Sequence, residues 1–248
     1  MIKFFRKIRY DLMQKSKTGK YFKYAIGEII LVVIGILIAL QINNWNNERL
    51  NKLDADVAKE NLHNEFIKNQ NILKTSKEHN QYALEACLSL INLIGATKKE
   101  LAQQNLDSLF NSSLKAEFYF PTRSSLDNIL QTGSMKLIES EELKNTLQTW
   151  IASLEQMKSY KEVQTNWQNN QYTPFLLNTV SFRQMDIYNQ TAWSGKSKIS
   201  TDYYSIFQSI QLENLLDNNL FLIELTISQL TGLETLQHTI IDLTGKSL

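Results

Sequence analysis

The sequence is poor in the residues that cross-link a chain or break its helices. Its 248 residues include one cysteine, two prolines and eight glycines. A lone cysteine, Cys87, excludes an intrachain disulfide. The scarcity of proline and glycine disfavours a β fold with many tight turns. We therefore expect a mainly α-helical protein, long enough for one medium-sized domain plus an anchor.

Motifs of several enzyme classes are also missing from the sequence. It has no G-x-S-x-G nucleophile elbow, and its scattered glycines form no phosphate-binding loop. Cys87 lies on an apolar helical stripe, where a thiol is usually buried and unreactive. The sequence therefore predicts no catalytic residue, no cofactor and no small-molecule substrate.

One pair of residues has the spacing of a metal site. Glu60 and His63 stand at i, i+3, as in carboxylate-bridged di-iron bundles. Such bundles need a second Glu-x-x-His pair, and neither His79 nor His238 follows a glutamate at that spacing. We therefore predict no metal site and interpret Glu60 and His63 as part of a solvated helix face. Glu234 and His238 have the i, i+4 spacing of a surface pair.

Basic side chains are concentrated at the N-terminus. Residues 1–23 carry eight Lys or Arg against one acid, whereas the rest of the chain carries 18 basic and 24 acidic residues. Apolar residues at helical spacing predict a basic amphipathic helix over residues 1–20, suited to an anionic cytoplasmic leaflet. We expect it to fix topology; the alternative is docking of a cytoplasmic partner, and nucleic acid is not expected. The predicted lipid-facing basic residues are Lys3, Arg6, Lys7 and Arg9.

A long apolar run, "YAIGEIILVVIGILIALQINNW", follows this basic segment. From Tyr24 to Ile42 it would extend about 28 Å as a helix, close to the hydrocarbon thickness of a bilayer. Its exit to Trp45 is polar and aromatic rather than a small-x-small cleavage site. We therefore predict an uncleaved transmembrane signal anchor over residues 21–45, with signal-peptide cleavage or a buried core helix as alternatives. Since Lys and Arg flank its start, the predicted location is the bacterial inner membrane, N-terminus cytoplasmic and C-terminal domain periplasmic.

Two features inside the run point to helix association. Gly27, Leu31, Gly35 and Ala39 follow four-residue steps, which places small residues along one side of the helix. Glu28 is an acid near the cytoplasmic end, and an intramembrane acid is a functional-site candidate. We interpret Glu28 as an assembly contact, within a homo-oligomer or with an envelope protein. The alternatives are a passive residue that reaches the headgroups and transport-like chemistry.

Residues 46–248 form the predicted helical domain. We expect a long helix or stalk over 46–98, an irregular region with short helices over 99–139, and long helices over 140–248. Gly133 is expected to end a short helix, Ser140 to cap the next one, and Pro174 to permit a new start. Residues 202–243 are expected to form two helices or one kinked helix.

Aromatic residues are the remaining candidates for a site. The stretch "AEFYFPT" is expected to be extended and to stop at Pro121. Together with Trp150, Trp167 and Trp193 it has two interpretations, the lining of a ligand pocket or the core of the helical domain. We favour the core, and a patch for a protein partner is the exposed alternative.

Two blocks of the chain resemble a known family. The sequence "MIKFFRKIR" with "YAIGEIILVVIGILIALQINNWNNER", and the later "SSLDNILQTGSMKLIESEELKNTL", resemble a flavobacterial family of unknown function, single-pass membrane proteins of Bacteroidota. The first block matches closely over the N-terminal 50 residues, and the second matches in pattern over residues 124–147. The resemblance implies an inner membrane location with a periplasmic body, and it implies no activity.

Three functions follow from these features. The favoured one is a membrane-anchored periplasmic interaction or scaffold module that binds membrane lipid and either itself or an envelope protein. The alternative is a ligand-sensing or signalling module, which would need a separate cytoplasmic partner because only about 23 residues precede the span. An enzyme is the third and least favoured.

Overall fold

The computed structural model describes Lys7, Tyr10 and residues 18–189, 191–193 and 195–245. The structure is 82% helical, and the described residues include no strand. The mainly α fold class is thus confirmed, as is one N-terminal helix long and apolar enough to be a membrane anchor.

The described part of the chain contains nine α-helices. They are α1 (Thr18–Ile91), α2 (Lys98–Leu101), α3 (Leu106–Ser113), α4 (Ser124–Thr132), α5 (Glu141–Trp167), α6 (Thr173–Thr179), α7 (Phe182–Met185), α8 (Tyr203–Phe207) and α9 (Ile210–Thr244). Two 3₁₀ turns, Ser134–Leu137 and Asp186–Asn189, and one π-helical turn, Gln168–Tyr172, connect some of them.

The chain divides into two compact units, Met1–Val57 and Ala58–Leu248. In the first unit, α1 contains an 18-residue window with a mean hydropathy of 2.6, none of which is buried. It is the one candidate membrane span among the residues that the structure describes. The domain limits predicted at residues 20 and 45 stay a prediction.

The main core of the second unit joins α1, α4, α5 and α9. The rings of Phe66 and Trp150 meet there with their centroids 4.8 Å apart. Each large apolar side chain buried in this way contributes roughly 1.5–3 kcal/mol. The fully buried members include Leu62, Phe66, Leu126, Leu147, Trp150, Leu230 and Ile240.

A second core lies among α3, α6, α8 and the start of α9. Phe110 and Phe207 pack with ring centroids 5.9 Å apart. Tyr172, from the π-helical turn, is fully buried in this cluster, and its hydroxyl is 2.8 Å from Ser113 Oγ. A third, small cluster holds Ala83, Cys87 and Ile223.

The predicted helix ends are confirmed at two places. Ser140 Oγ accepts a hydrogen bond from the Leu143 amide at 3.1 Å, and Glu141 and Glu142 stand in the first turn of α5, where acids complement the helix dipole. Gly133 ends α4 in the left-handed conformation, with φ at +69°. The segment before α4, residues 115–123, has no regular secondary structure, and its extended conformation stays a prediction.

Pro174 behaves differently from the expectation of a fresh helix start. α6 does begin at Thr173, but the helical backbone runs into it from α5 without a break. A π-helical turn bridges the two, since proline cannot donate the hydrogen bond that a regular α-helix requires there. Further on, residues 202–243 form two helices, α8 and α9, the first of the two expected arrangements.

The two glycines at helical positions 133 and 232 offer a matched test of this backbone. Gly133→Ala is expected to lower the free energy of unfolding by about 1–2 kcal/mol, because its φ of +69° strains a residue with a Cβ. Gly232→Ala, inside α9, is expected to raise it by roughly 0.5–1 kcal/mol, since its Cβ would meet nothing within 4 Å. Denaturant titration of the full chain in detergent, followed by circular dichroism, measures both changes. Shifts of the same sign would contradict the backbone assignment.

Candidate functional site

A groove of about 400 Å³ opens in the second unit between the irregular segment before α4, residues 115–123, and the middle of α5. Its floor is apolar and buried, formed by Tyr119, Leu154 and Met157. Its wall is aromatic, and Phe120 is 62% exposed there. The lining residues are Phe118, Tyr119, Phe120, Pro121, Arg123, Leu154, Met157, Lys158 and Lys161.

Three cations stand around this apolar surface, and none of the lining residues is acidic. Lys161 Nζ lies 4.4 Å from the centroid of the Phe120 ring and 5.9 Å from that of Phe118. Contacts of this kind attract an ammonium to the ring face and hold it near the apolar wall. The ammonium of Lys161 is therefore placed at the mouth of the groove.

The other two cations are paired with acids beside the groove. Lys158 Nζ donates to Glu155 Oε1 at 2.7 Å, and this hydrogen bond lowers the pKa of the Glu155 carboxyl below its ordinary value. Arg123 Nη2 donates to Asp127 Oδ1 at 3.1 Å, and its Nη1 lies 3.9 Å from Glu155. Arg123 Nε is buried without a hydrogen-bond partner. Unlike these two, Lys161 forms no ion pair in the part of the chain that the structure describes.

The wall of the groove is held in place by polar side chains of α1. The buried Asn69 donates from Nδ2 to Thr122 O at 2.8 Å, and its Oδ1 accepts from the Thr122 amide at 2.9 Å. Asn80 Nδ2 donates to Glu117 O at 2.6 Å. The segment before α4 has no secondary structure of its own, and these bonds fix it near both of its ends.

A buried acid of α1 supplies the helix cap that α4 lacks. Arg123, at the N-cap position, makes no side-chain cap, but Glu65 accepts from the amides of Ser125 at 2.7 Å and Leu126 at 3.3 Å. A carboxylate at a helix N-terminus is favoured by the helix dipole. Glu65 therefore fixes the point at which the groove wall turns into α4.

The floor residue Tyr119 belongs to the same polar network. Its hydroxyl donates to Gln237 Oε1 at 3.3 Å, and Gln237 Nε2 donates to Phe66 O at 2.8 Å. Burial and the Glu65 carboxylate raise the pKa of the Tyr119 phenol, so it stays a neutral donor. The phenol is thereby tied to α9 and, through Gln237, to α1.

A second, more polar cleft of about 500 Å³ lies where α1 faces the end of α3. His79 hydrogen-bonds Glu117, and Glu85 accepts from Gln81 at 3.1 Å, so these groups are bonded to other side chains. Lys115 and Tyr82 also line the cleft. Within the described ranges, no group of three His, Cys, Asp or Glu side chains is placed to hold a metal ion.

The residues predicted for the membrane span all lie on α1. Trp45 and Ile42 are exposed, and Glu28 is partly exposed. A Cβ added at Gly27 or Gly35 would meet nothing within 4 Å, so the side of the helix that carries them is open in the single chain. The predicted association face of Gly27, Glu28, Leu31, Gly35 and Ala39 stays a prediction, as does the span from Tyr24 to Trp45.

That face consists of Gly27, Leu31, Gly35 and Ala39, with Glu28 beside it. All of these residues belong to the helical part of the first unit. Of the predicted lipid-facing cations, Lys7 is helical and exposed, whereas Lys3, Arg6 and Arg9 lie outside the described residues.

The predicted surface pair of Glu234 and His238 is wrong. Glu234 Oε2 instead accepts from Lys77 Nζ at 2.5 Å, and His238 Nδ1 lies 3.4 Å from Gln70 Nε2. Both partners belong to α1, because α9 packs against that helix and presents these side chains to it. His63 also departs from the solvated face expected for it, since its Nδ1 lies 3.3 Å from Ile241 O.

Cys87 lies where the sequence predicted it, in the core. Its thiol is fully buried, and Asn219 Nδ2 donates to its Sγ at 3.1 Å. Burial raises the pKa of the thiol to about 12, so it stays protonated at neutral pH. A thiol in this form is a poor nucleophile, which agrees with the prediction that Cys87 is unreactive.

The aromatic residues divide between the two interpretations. Trp150 and Tyr119 are buried, as the favoured core interpretation requires, whereas Phe120 is exposed and Trp193 is 71% exposed. The less favoured interpretation, that "AEFYFPT" lines a ligand pocket, included four lining residues of the groove, at positions 118–121, but none of its residues on α5. The pattern that points to the α5 side is the i, i+3, i+4, i+7 spacing of Leu154, Met157, Lys158 and Lys161, which puts two apolar residues and two cations on one face of α5.

The fold and the candidate groove define an all-α protein with one helix long and apolar enough to cross a membrane. The chain belongs to a family of unknown function, DUF6090, whose model matches residues 28–214. The match therefore includes Glu28 and the whole groove. No curated protein and no solved structure matches the chain.

Proposed function

We propose that the protein is a membrane-anchored interaction module, with a short cytoplasmic N-terminus, one span in the bacterial inner membrane and a helical periplasmic body that binds an envelope protein. The observation that carries the anchor is the apolar window of α1, with a mean hydropathy of 2.6 and no buried part. Leaving such a surface in water costs about 25 cal/mol for each Å² of apolar area. A bilayer removes that cost.

The charge distribution supports the orientation. Eight Lys or Arg against one acid precede Tyr24, and the positive-inside rule puts such a flank in the cytoplasm. The body beyond the span then lies in the periplasm. It has buried cores of its own, which support a folded domain rather than a simple tether.

The interaction role is supported by the groove. It presents an exposed aromatic wall and a buried apolar floor, which protein interfaces favour at their centres, and cations at its mouth, where interfaces have a polar rim. A signalling module would share the anchor and the groove. It differs in that a cytoplasmic protein would contact residues 1–23.

A reporter fused after Leu248 tests the orientation. Alkaline phosphatase is active only in the periplasm, and we expect it to be active when fused after Leu248. Green fluorescent protein fused at the same position is expected not to fluoresce. The control replaces the predicted lipid-facing cations Lys3, Arg6, Lys7 and Arg9 with glutamine, which weakens the positive flank and is expected to lower phosphatase activity. A fluorescent, phosphatase-inactive fusion of the unaltered chain would overturn the orientation.

Crosslinking in the membrane tests association through the span. Gly35→Ile and Glu28→Gln are expected to lower the crosslinked fraction about three- to tenfold, because close helix approach and polar contacts in lipid are worth roughly 0.6–2 kcal/mol. A side chain at position 35 touches nothing in the single chain, so a loss reports on a neighbour rather than on the fold. Leu37→Ile, on the opposite side of α1, is the matched control. Crosslinking that is unchanged in both variants would leave Glu28 as a passive residue.

A further inference from the structure

We propose that the groove between the 118–123 segment and α5 binds an acidic peptide segment of a protein partner, seating one bulky apolar side chain on its floor and placing a carboxylate against Lys161. The inference rests on the proposed interaction function, for which it names the surface and the chemistry of the partner.

The shape of the groove suits a side chain rather than a flat contact. Its volume of about 400 Å³ lies within the range of roughly 300–1,000 Å³ that ligand sites have. Tyr119, Leu154 and Met157 close its base, so an inserted apolar group would touch buried carbon on three sides. Phe120 would lose much of its 62% exposure when the groove is filled. The apolar part of the partner is therefore an anchor residue such as Leu, Phe or Trp.

The cations at the mouth of the groove favour a partner that carries acidic residues beside its apolar anchor. Arg123 and Lys158 are already neutralised in part by Asp127 and Glu155. Lys161, by contrast, lies over the rings of Phe118 and Phe120, and within the described residues no acid is within ion-pair distance of it. A carboxylate of the partner would form an ion pair with the Lys161 ammonium.

The groove is also prepared for binding. The wall is fixed by Asn69 at Thr122 and by Glu65 at the start of α4, and the floor by the bond from Tyr119 to Gln237. A wall that is ordered beforehand loses little conformational freedom when a partner binds. When an extended peptide binds along α5, most of the conformational entropy that is lost is therefore that of the peptide itself.

A peptide fits these features better than a phosphate-bearing surface does. The volume is mostly apolar, and two of its three cations already have carboxylate partners. A lipid surface or a nucleic acid would rely on many free cations and salt-dependent phosphate contacts. An anchor residue flanked by Asp or Glu uses both the apolar floor and the single uncommitted ammonium.

The test measures fluorescence anisotropy with the full chain in detergent micelles. The probes are labelled octapeptides that place one Leu, Phe or Trp beside two Asp or Glu residues in each register. Two control panels replace the acids with Asn and Gln, or the anchor with Ala. We expect saturable binding of the acidic panel, and at least about threefold weaker binding of both control panels. Absence of binding up to about 1 mM, or equal binding of acidic and amide peptides, would overturn the proposal.

Matched variants test whether the peptides bind at the groove. Lys161→Met keeps the apolar stem but removes the charge, and it is expected to weaken binding of the acidic panel about three- to tenfold with little effect on the amide panel. Lys98→Met is the control, because Lys98 Nζ lies 5.1 Å over the Tyr204 ring at another site of the second unit. Equal losses in the two variants would overturn the groove assignment. Phe120→Ala is expected to weaken both panels, and circular dichroism verifies that each variant is folded.

Two further measurements separate this proposal from the proposed function. Vesicles of phosphatidylglycerol and a single-stranded RNA serve as competitors, and Lys161-dependent binding of either in place of the peptides would overturn the peptide assignment. Peptide binding by a chain whose C-terminal reporter lies in the cytoplasm would support the groove and overturn the periplasmic location. Absence of peptide binding by a chain whose C-terminal reporter lies in the periplasm would support the periplasmic location and overturn the groove proposal.

Discussion

The second unit depends on three polar side chains of α1 that point away from water. Glu65, Asn69 and Asn80 are buried, and each one bonds the backbone between Glu117 and Leu126. A buried polar group without a partner costs roughly 1–3 kcal/mol. The segment before α4 supplies partners to Asn69 and to Asn80 Nδ2, and the first turn of α4 supplies them to Glu65, whereas Asn80 Oδ1 has no hydrogen-bond partner among the described residues. In return the segment is fixed although it has no regular structure. The position of the groove wall therefore follows from the burial of these residues.

The groove unites this polar network with the apolar core. Its floor residue Met157 belongs to the cluster that Phe66 and Trp150 occupy, and its floor residue Tyr119 is bonded to Gln237 of α9. Lys161 extends from the same helix face as Met157 and covers the aromatic wall. A surface of this kind is rigid below and cationic at its mouth, which is why we infer an acidic partner with an apolar anchor. The membrane anchor would keep that surface in the compartment where such a partner is found.

Local features of the sequence predicted much of the fold, and contacts between distant residues explain what it did not predict. Ser140 and Gly133 mark helix ends through bonds made within a few residues, so their roles could be read directly. The roles of Glu65 and Asn69 were not predicted, because their partners lie more than fifty positions away. The α5 side of the groove was missed for the same reason: Phe120 and Lys161 meet only after the segment before α4 has packed against α5.

The central claim, that polar residues of α1 hold the groove wall, is tested most directly by hydrogen exchange at the Thr122 amide, which donates to Asn69 Oδ1. Asn69→Leu removes that acceptor, whereas Asn64→Leu alters an exposed asparagine of the same helix. We predict that Asn69→Leu speeds exchange at Thr122 and its neighbours about tenfold or more, while amides in the middle of α9 keep their protection. Unchanged exchange at Thr122, or the same loss in Asn64→Leu, would contradict the account.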